Sequence, residues 1–213
     1  MPLRQAALLG CAIPTGAGVI RHSADVRPGS SVAIFGVGGI GLSAVMAARL
    51  QGAAQIIAID IVEQKLDWAR QLGATHVINS RRQEPLEAIW ALTQRRGVDY
   101  AVEAVGKSQT METAFRAVRD QGGLCVLAGN VAHGERIALD PFDLIRGKRI
   151  VGTWGGESQL DRDVPVYAGL FLAGQLPLDD LITHEYQLAD INEALRALEQ
   201  SLVGRALINM AAS

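Results

Sequence analysis

Two cysteines in 213 residues, Cys11 and Cys125, are too few for a disulfide framework. That excludes a disulfide-built secreted scaffold and leaves a reducing cytoplasm as the expected location. Long apolar runs are also missing. None approaches the roughly 18 residues that a membrane-spanning helix requires, so no membrane partner is expected. The opening MPLRQAALLGCAIPTGAG has one early arginine, and Gly10 and Pro14 interrupt its apolar stretch, which makes it a poor signal peptide. Charge of one sign is not in excess. A net −2 gives no reason to expect nucleic acid or an acidic membrane as partner. The pairs Arg81-Arg82 and Arg95-Arg96 are too short and too separated to mark a nucleic-acid surface, and read as solvated loop and helix-end charges. Aromatic residues are scarce, at 5%, while glycine is abundant, a balance that suits an α/β protein with tight strand–helix turns. The histidines, His22, His76, His133 and His184, lack H-x-x-x-H ligand spacing and read as surface or loop residues. Cys125 sits in an apolar strand and reads as a small buried hydrophobe. There is no internal repeat, low-complexity tract or long linker.

What the chain does have is Gly36-Val37-Gly38-Gly39-Ile40-Gly41, placed between a strand-like SVAIF (Ser31 to Phe35) and a helix-forming run from Leu42 to Leu50. Nineteen residues past the last glycine, Asp60 closes a second apolar strand that begins at Gln55. An isolated G-x-G-x-x-G is a weak signal, and an ordinary glycine-rich turn is its bland alternative. Between a strand and a helix, with an acidic residue at this distance, it reads as a dinucleotide-binding fingerprint. Gly36 permits the tight turn, Gly38 lets a pyrophosphate approach the backbone, and Gly41 lets the helix pack close to the strand. The free N–H groups and positive end of the helix face the phosphates. Asp60 accepts from the adenosine ribose hydroxyls and repels a 2′-phosphate, which favours NAD over NADP.

After the fingerprint, strands and helices alternate. Helices are expected over Val62–Leu72 (closed by Gly73), Pro85–Gln94, Gln109–Val118 and Pro141–Ile145, and strands over His76–Ile78, Val98–Val105, Gly123–Ala128 and Arg149–Trp154. Six strands spaced by helices imply a Rossmann fold, a doubly wound parallel sheet of order 3-2-1-4-5-6. Ligands bind such sheets at the carboxyl ends of the strands. Val105 and Gly106 follow the fourth strand and Gly129 the fifth, so Val105 and Gly129 are candidates for the cofactor cleft. The ends lie outside this unit. Leu3 to Asp25 reads as a helix-like lead-in with a turn at Thr15 to Gly18. The C-terminal part holds a helix from Asp161 to Ala173, a strand-like LITHEYQL, a helix from Ile191 to Gln200 and a strand from Arg205 to Met210. The apolar faces over Leu3–Val19 and Leu181–Leu198 have no obvious partner in the sheet domain.

These segments, in this order and spacing, resemble the C-terminal portion of the zinc-dependent medium-chain alcohol dehydrogenases. LLGCAIPTGAG, IFGVGGIGL, IIAIDIVEQKLDWARQLGATHVIN, VDYAVEAVG, LITHEYQLADINEAL and the closing GRALI carry the resemblance almost from end to end. It implies that Thr15 stands beside the nicotinamide, Lys65 contacts the adenosine ribose, and Arg205 contacts the pyrophosphate. It implies a catalytic-zinc ligand role for Cys11, provided a catalytic domain supplies the other ligands, because a catalytic zinc takes three protein ligands and one thiolate cannot hold it. In the family a β-rich, GroES-like catalytic domain precedes the cofactor domain; these residues contain none of it, and turnover by this chain alone is not expected. Residues 1–25 would then be a lead-in from that domain, 26–156 the NAD-binding domain, and 157–213 a segment returning toward it. The implied reaction is reversible hydride transfer between an alcohol or carbonyl substrate and NAD, with zinc polarising the substrate oxygen in the complete enzyme. The strand Arg149–Trp154 is expected to pair with its copy in a homodimer. The alternatives are a stand-alone dinucleotide-binding module without catalysis, or a truncated product without function.

Overall fold

The computed structural model describes residues 1–200 and 202–210. Six strands, β1 (Ser31–Phe35), β2 (Gln55–Asp60), β3 (His76–Asn79), β4 (Tyr100–Glu103), β5 (Leu124–Leu127) and β6 (Arg149–Gly152), form one sheet in the order β3-β2-β1-β4-β5-β6. All neighbours are parallel, and Ala33 of β1 lies opposite Ile57 of β2 and Ala101 of β4. The expected fold class and strand order are therefore observed. A parallel sheet covered on both faces needs near-continuous apolar residues along its central strands, and residues 32–35 (VAIF) and 56–59 (IIAI) supply them.

Alternation along each strand sends side chains to two cores. Val32, Ile34, Ile56, Ala58, Val102 and Val126 face one core; Ala33, Phe35, Ile57, Ile59, Ala101 and Cys125 face the other. The helices are α1 (Leu3–Ala6), α2 (Ala12–Gly18), α3 (Gly39–Leu50), α4 (Glu63–Leu72), α5 (Pro85–Leu92), α6 (Ser108–Ala117), α7 (Pro141–Ile145), α8 (Leu160–Leu172), α9 (Leu178–Leu181) and α10 (Ile191–Glu199). Helix α3 covers the first core, with α2 and residues of α4, α8 and α9, while α5 and α6 cover the second. Each aliphatic side chain buried here stabilises the fold by roughly 1.5–3 kcal/mol relative to exposure.

Most boundaries fall within one residue of expectation, and the exceptions have local causes. Helix α3 starts three residues early, because Leu42 N–H donates to the Gly38 carbonyl and takes the loop glycines into the first turn. The fourth strand stops at Glu103, where the chain turns sharply. Helix α5 ends at Leu92, since Gln94 and Arg95 adopt positive φ.

The lead-in departs most from expectation. Thr15–Gly18 is not a turn but the end of α2, which continues as a π-helical stretch over Val19–Ser23. Its glycines serve packing. A Cβ on Gly16 would lie 2.6 Å from Ser43 Cβ and collide with the Ile40 carbonyl, so α2 rests directly on α3. Nor does the apolar face over Leu3–Val19 lack a partner: Leu8, Leu9, Ile13, Ala17 and Val19 are buried in the first core. The C-terminal helix α10 does leave Leu195 and Leu198 exposed. Strands β7 (His184–Gln187) and β8 (Ala206–Asn209) pair in parallel as a separate two-stranded sheet. No single helix among the described residues is long and apolar enough to cross a membrane.

His22 also differs from its reading as a surface residue. It is largely buried, and its Nε2 sits 3.1 Å from Oδ2 of Asp163, a fully buried carboxylate on α8. Burial alone would push the Asp163 carboxyl up. The Gln159 N–H at 2.8 Å, His22 and Arg162 outweigh burial and hold it below the usual carboxylate range. A depressed carboxyl stabilises the fold above its unfolded-state pKa of about 4, and that stabilisation is lost as pH falls through the lower folded-state value. Urea midpoints measured from pH 5 to pH 2 should therefore fall for the wild type, and fall less for Asp163→Asn.

Candidate functional site

The sheet's carboxyl edge is where the glycine run, Asp60 and the end of β4 meet. Gly36 takes φ +85°, a conformation that favours glycine, and its N–H donates to the Ile59 carbonyl at 2.8 Å, drawing the loop across β2. Gly41 packs so tightly that a Cβ would collide with the Gly36 carbonyl oxygen. Gly38 is the opposite case: nothing lies within 4 Å of where its Cβ would be, so the backbone faces open space. Val37 is buried beneath the loop, and Gly39 and Ile40 begin α3, whose amino end points into the opening.

Asp60 is bound to the loop it was expected to serve. Its Oδ2 accepts from Val37 N–H at 3.0 Å, and its Oδ1 accepts from Ile61 and Val62 N–H at 2.7 and 3.0 Å. Gly36, Gly38, Asp60, Lys65 and Val105 all line one cleft of about 560 Å³. That volume falls within the range of small-molecule and cofactor sites. Lys107 and Thr110 line the same cleft.

The remaining candidates sit around this cleft rather than in its lining. The guanidinium of Arg205 lies against the loop, its Nη1 3.5 Å from the Cβ position of Gly39, and no carboxylate among the described residues pairs with it. Ala12 touches the same position from α2, and Cys11, the exposed residue preceding that helix, is next in sequence to it. Thr15 is half-buried one turn further on, with its carbonyl packed against Gly156. Gly129 lies behind the β4 turn, where a Cβ would come within 2.6 Å of Glu103 Oε2.

Among the described residues there is no group of three or more His, Cys, Asp or Glu able to hold a metal ion. Cys11 thus has no co-ligands here, and the residues present do not fit a zinc site. Cys125 is fully enclosed, and burial pushes its thiol far up, out of the reactive range.

One residue escaped the sequence reading. Glu103 ends β4 and is fully buried, yet its Oε1 accepts from Val105 and Gly106 N–H at 3.0 and 2.9 Å. Burial pushes its carboxyl up, against the pull of those N–H groups. The signal available was a carboxylate at the far end of the strand read over Val98–Val105, flanked by the apolar Val102 and Ala104.

A family model described as zinc-binding dehydrogenase matches residues 39–171. The chain belongs to the zinc-binding dehydrogenase family. It is 37% identical to alcohol dehydrogenase-like 1 of Arabidopsis thaliana over 99% of its length and 55% of that protein. It is 34% identical to alcohol dehydrogenase class-3 of Zea mays over 98% of its length and 55% of that protein. The benzyl alcohol dehydrogenase structure from Acinetobacter calcoaceticus superimposes with a TM-score of 0.95 at 36% identity, covering 99% of this chain and 58% of that one. The chain therefore spans about half the length of the curated relatives it matches. Complete enzymes of this family imply NAD and zinc.

The surroundings of Gly41 and Gly38 separate packing space from ligand space. Gly41→Ala should destabilise the fold by about 1–3 kcal/mol through overpacking, whereas Gly38→Ala should stay within about 0.5 kcal/mol of wild type. Urea unfolding of both variants checks the contrast.

Proposed function

We propose that this chain is the NAD-binding part of a zinc-type alcohol dehydrogenase, and that the cleft at the ends of β1, β2 and β4 holds the dinucleotide. The observation that carries the reading is the open face of Gly38 beside the amino end of α3, with Asp60 fixed across the loop. A dinucleotide's pyrophosphate requires backbone N–H groups without an intervening side chain and a positive local potential. The backbone from Gly36 to Gly41 offers the first; the helix dipole and Arg205 offer the second. Asp60 and Lys65 bind the adenosine ribose, and Val105 forms the wall opposite them. Asp60 excludes a 2′-phosphate by charge. Thr15 and Gly129 act at the margins, toward the nicotinamide. When bound, NAD supplies the hydride acceptor for oxidation of an alcohol to a carbonyl compound. This chain binds and orients it; Cys11 joins a zinc site only with ligands from outside these residues.

The edge of the sheet supports a homodimer. Strand β6 has neighbours on one side only, and the chain beyond it carries Trp154 at 91% exposure. Helix α7 next to it shows Phe142 and Ile145 to solvent. Unpaired strand edges invite pairing, and a two-fold axis satisfies both copies at once. Light scattering should give twice the chain mass for wild type and one chain mass for Val151→Lys; a monomeric wild type rejects the dimer.

Calorimetric titration with NAD and NADP, with zinc measured by elemental analysis, tests the main reading. NAD should bind without stoichiometric zinc, and more tightly than NADP. Asp60→Ala should weaken NAD by about 10- to 100-fold, the range for hydrogen bonds to a charged acceptor, and narrow the NAD/NADP gap. An unchanged preference removes Asp60 from the site, and no NAD binding at all rejects the proposal. Stoichiometric zinc in the isolated chain would overturn the argument about missing ligands.

A further inference from the structure

The one buried carboxylate in the central strands has a position that core packing does not explain. Glu103 is the last residue of β4, and its main chain is locked on both sides. The next N–H, that of Ala104, donates to the Phe35 carbonyl at 2.8 Å, and the Glu103 carbonyl accepts from Ala128 and Gly129 N–H at 2.8 and 3.0 Å. The side chain then folds back under the following turn, where Oε1 takes both the Val105 and Gly106 N–H groups. Two consecutive amides pointing inward need an acceptor, and no backbone carbonyl among the described residues accepts from either. The turn also rests on Asn130, whose backbone N is 3.1 Å from the Cβ position of Gly106, at φ +81°. What the turn presents to the cleft is Val105. Its Cγ2 is 2.6 Å from the Cβ position of Gly36, so this side chain lies on the first glycine of the loop. The other oxygen, Oε2, is enclosed beside Gly129 without a hydrogen-bond partner.

We propose that Glu103 is a positioning residue for the dinucleotide: its side-chain clamp on the Val105 and Gly106 amides seats Val105 on Gly36 and so fixes the cleft wall facing Asp60 and Lys65. This rests on the dinucleotide reading above. An apolar residue at this site would fill the core equally well but would release the turn. The role is therefore to hold the turn so that Val105 stays seated on Gly36.

The test is a double-mutant cycle on NAD affinity, with AMP as a second probe for the adenosine half. Glu103→Met, similar in length but unable to accept in the same way, should weaken NAD and AMP about tenfold while the protein stays folded by circular dichroism. Glu103→Gln keeps the accepting oxygen and should restore affinity to within about twofold of wild type. In a Val105→Ala background, Glu103→Met should cost less than about twofold more, because both changes remove one contact. If Glu103→Met does not fold, Glu103→Asp, one methylene too short to span the turn, should show the same loss and the same non-additivity. Unchanged affinity in a folded Met or Asp variant overturns the proposal, as does full additivity with Val105→Ala. A wild-type chain that binds no NAD overturns the dinucleotide reading itself, which is a separate result.

Discussion

The structure depends on one close approach: the carbonyl of Gly36 against Gly41, where the end of β1 meets the first turn of α3. No side chain fits between them. That contact sets the angle at which α3 leaves the sheet, and so where its unpaired amides point. It also fixes the surface on which α2 must lie, because Gly16 of α2 meets the same first turns of α3 at the Ile40 carbonyl and Ser43. Three glycines thus bring two helices and a strand together with almost nothing between backbones. The apolar cores on either face of the sheet stabilise this arrangement but do not choose it.

The candidate cleft follows from the same constraint. With α3 held close to β1, the loop has to turn at Gly36 and expose Gly38. Asp60, at the end of the neighbouring strand, then comes within hydrogen-bond reach of Val37. Its carboxylate is engaged by three backbone amides. This leaves Asp60 rigid before any ligand arrives, which lowers the ordering cost of binding. Lys65 and Val105 reach the same space from the first turn of α4 and the end of β4.

Much of this was legible in the sequence, because the relevant residues act locally. SVAIF and QIIAID read as strands since burial on both faces demands unbroken apolar runs, and glycine or aspartate marks their ends. The fingerprint was legible because its spacing encodes a turn and a helix start. Where the reading failed, tertiary contacts overrode local preference. TGAG carries turn chemistry, yet Gly16 and Gly18 are there so that α2 can touch α3 and the Gly156 turn. The lead-in's apolar face found its partner in the first core, which no local pattern announces. Glu103 was hidden for a similar reason: its carboxylate gains meaning only when the chain two and three residues later curls back over it.

The two thiols of this protein have opposite fates. Cys125 is sealed between β4 and β6 with its proton firmly held, while Cys11 stands in solvent just ahead of α2, next in sequence to the alanine that touches the loop. Alkylating reagents are thereby directed to a single address. A fluorophore attached there would sit one residue from the alanine that touches the glycine loop, giving the chain a built-in optical reporter of changes at that loop.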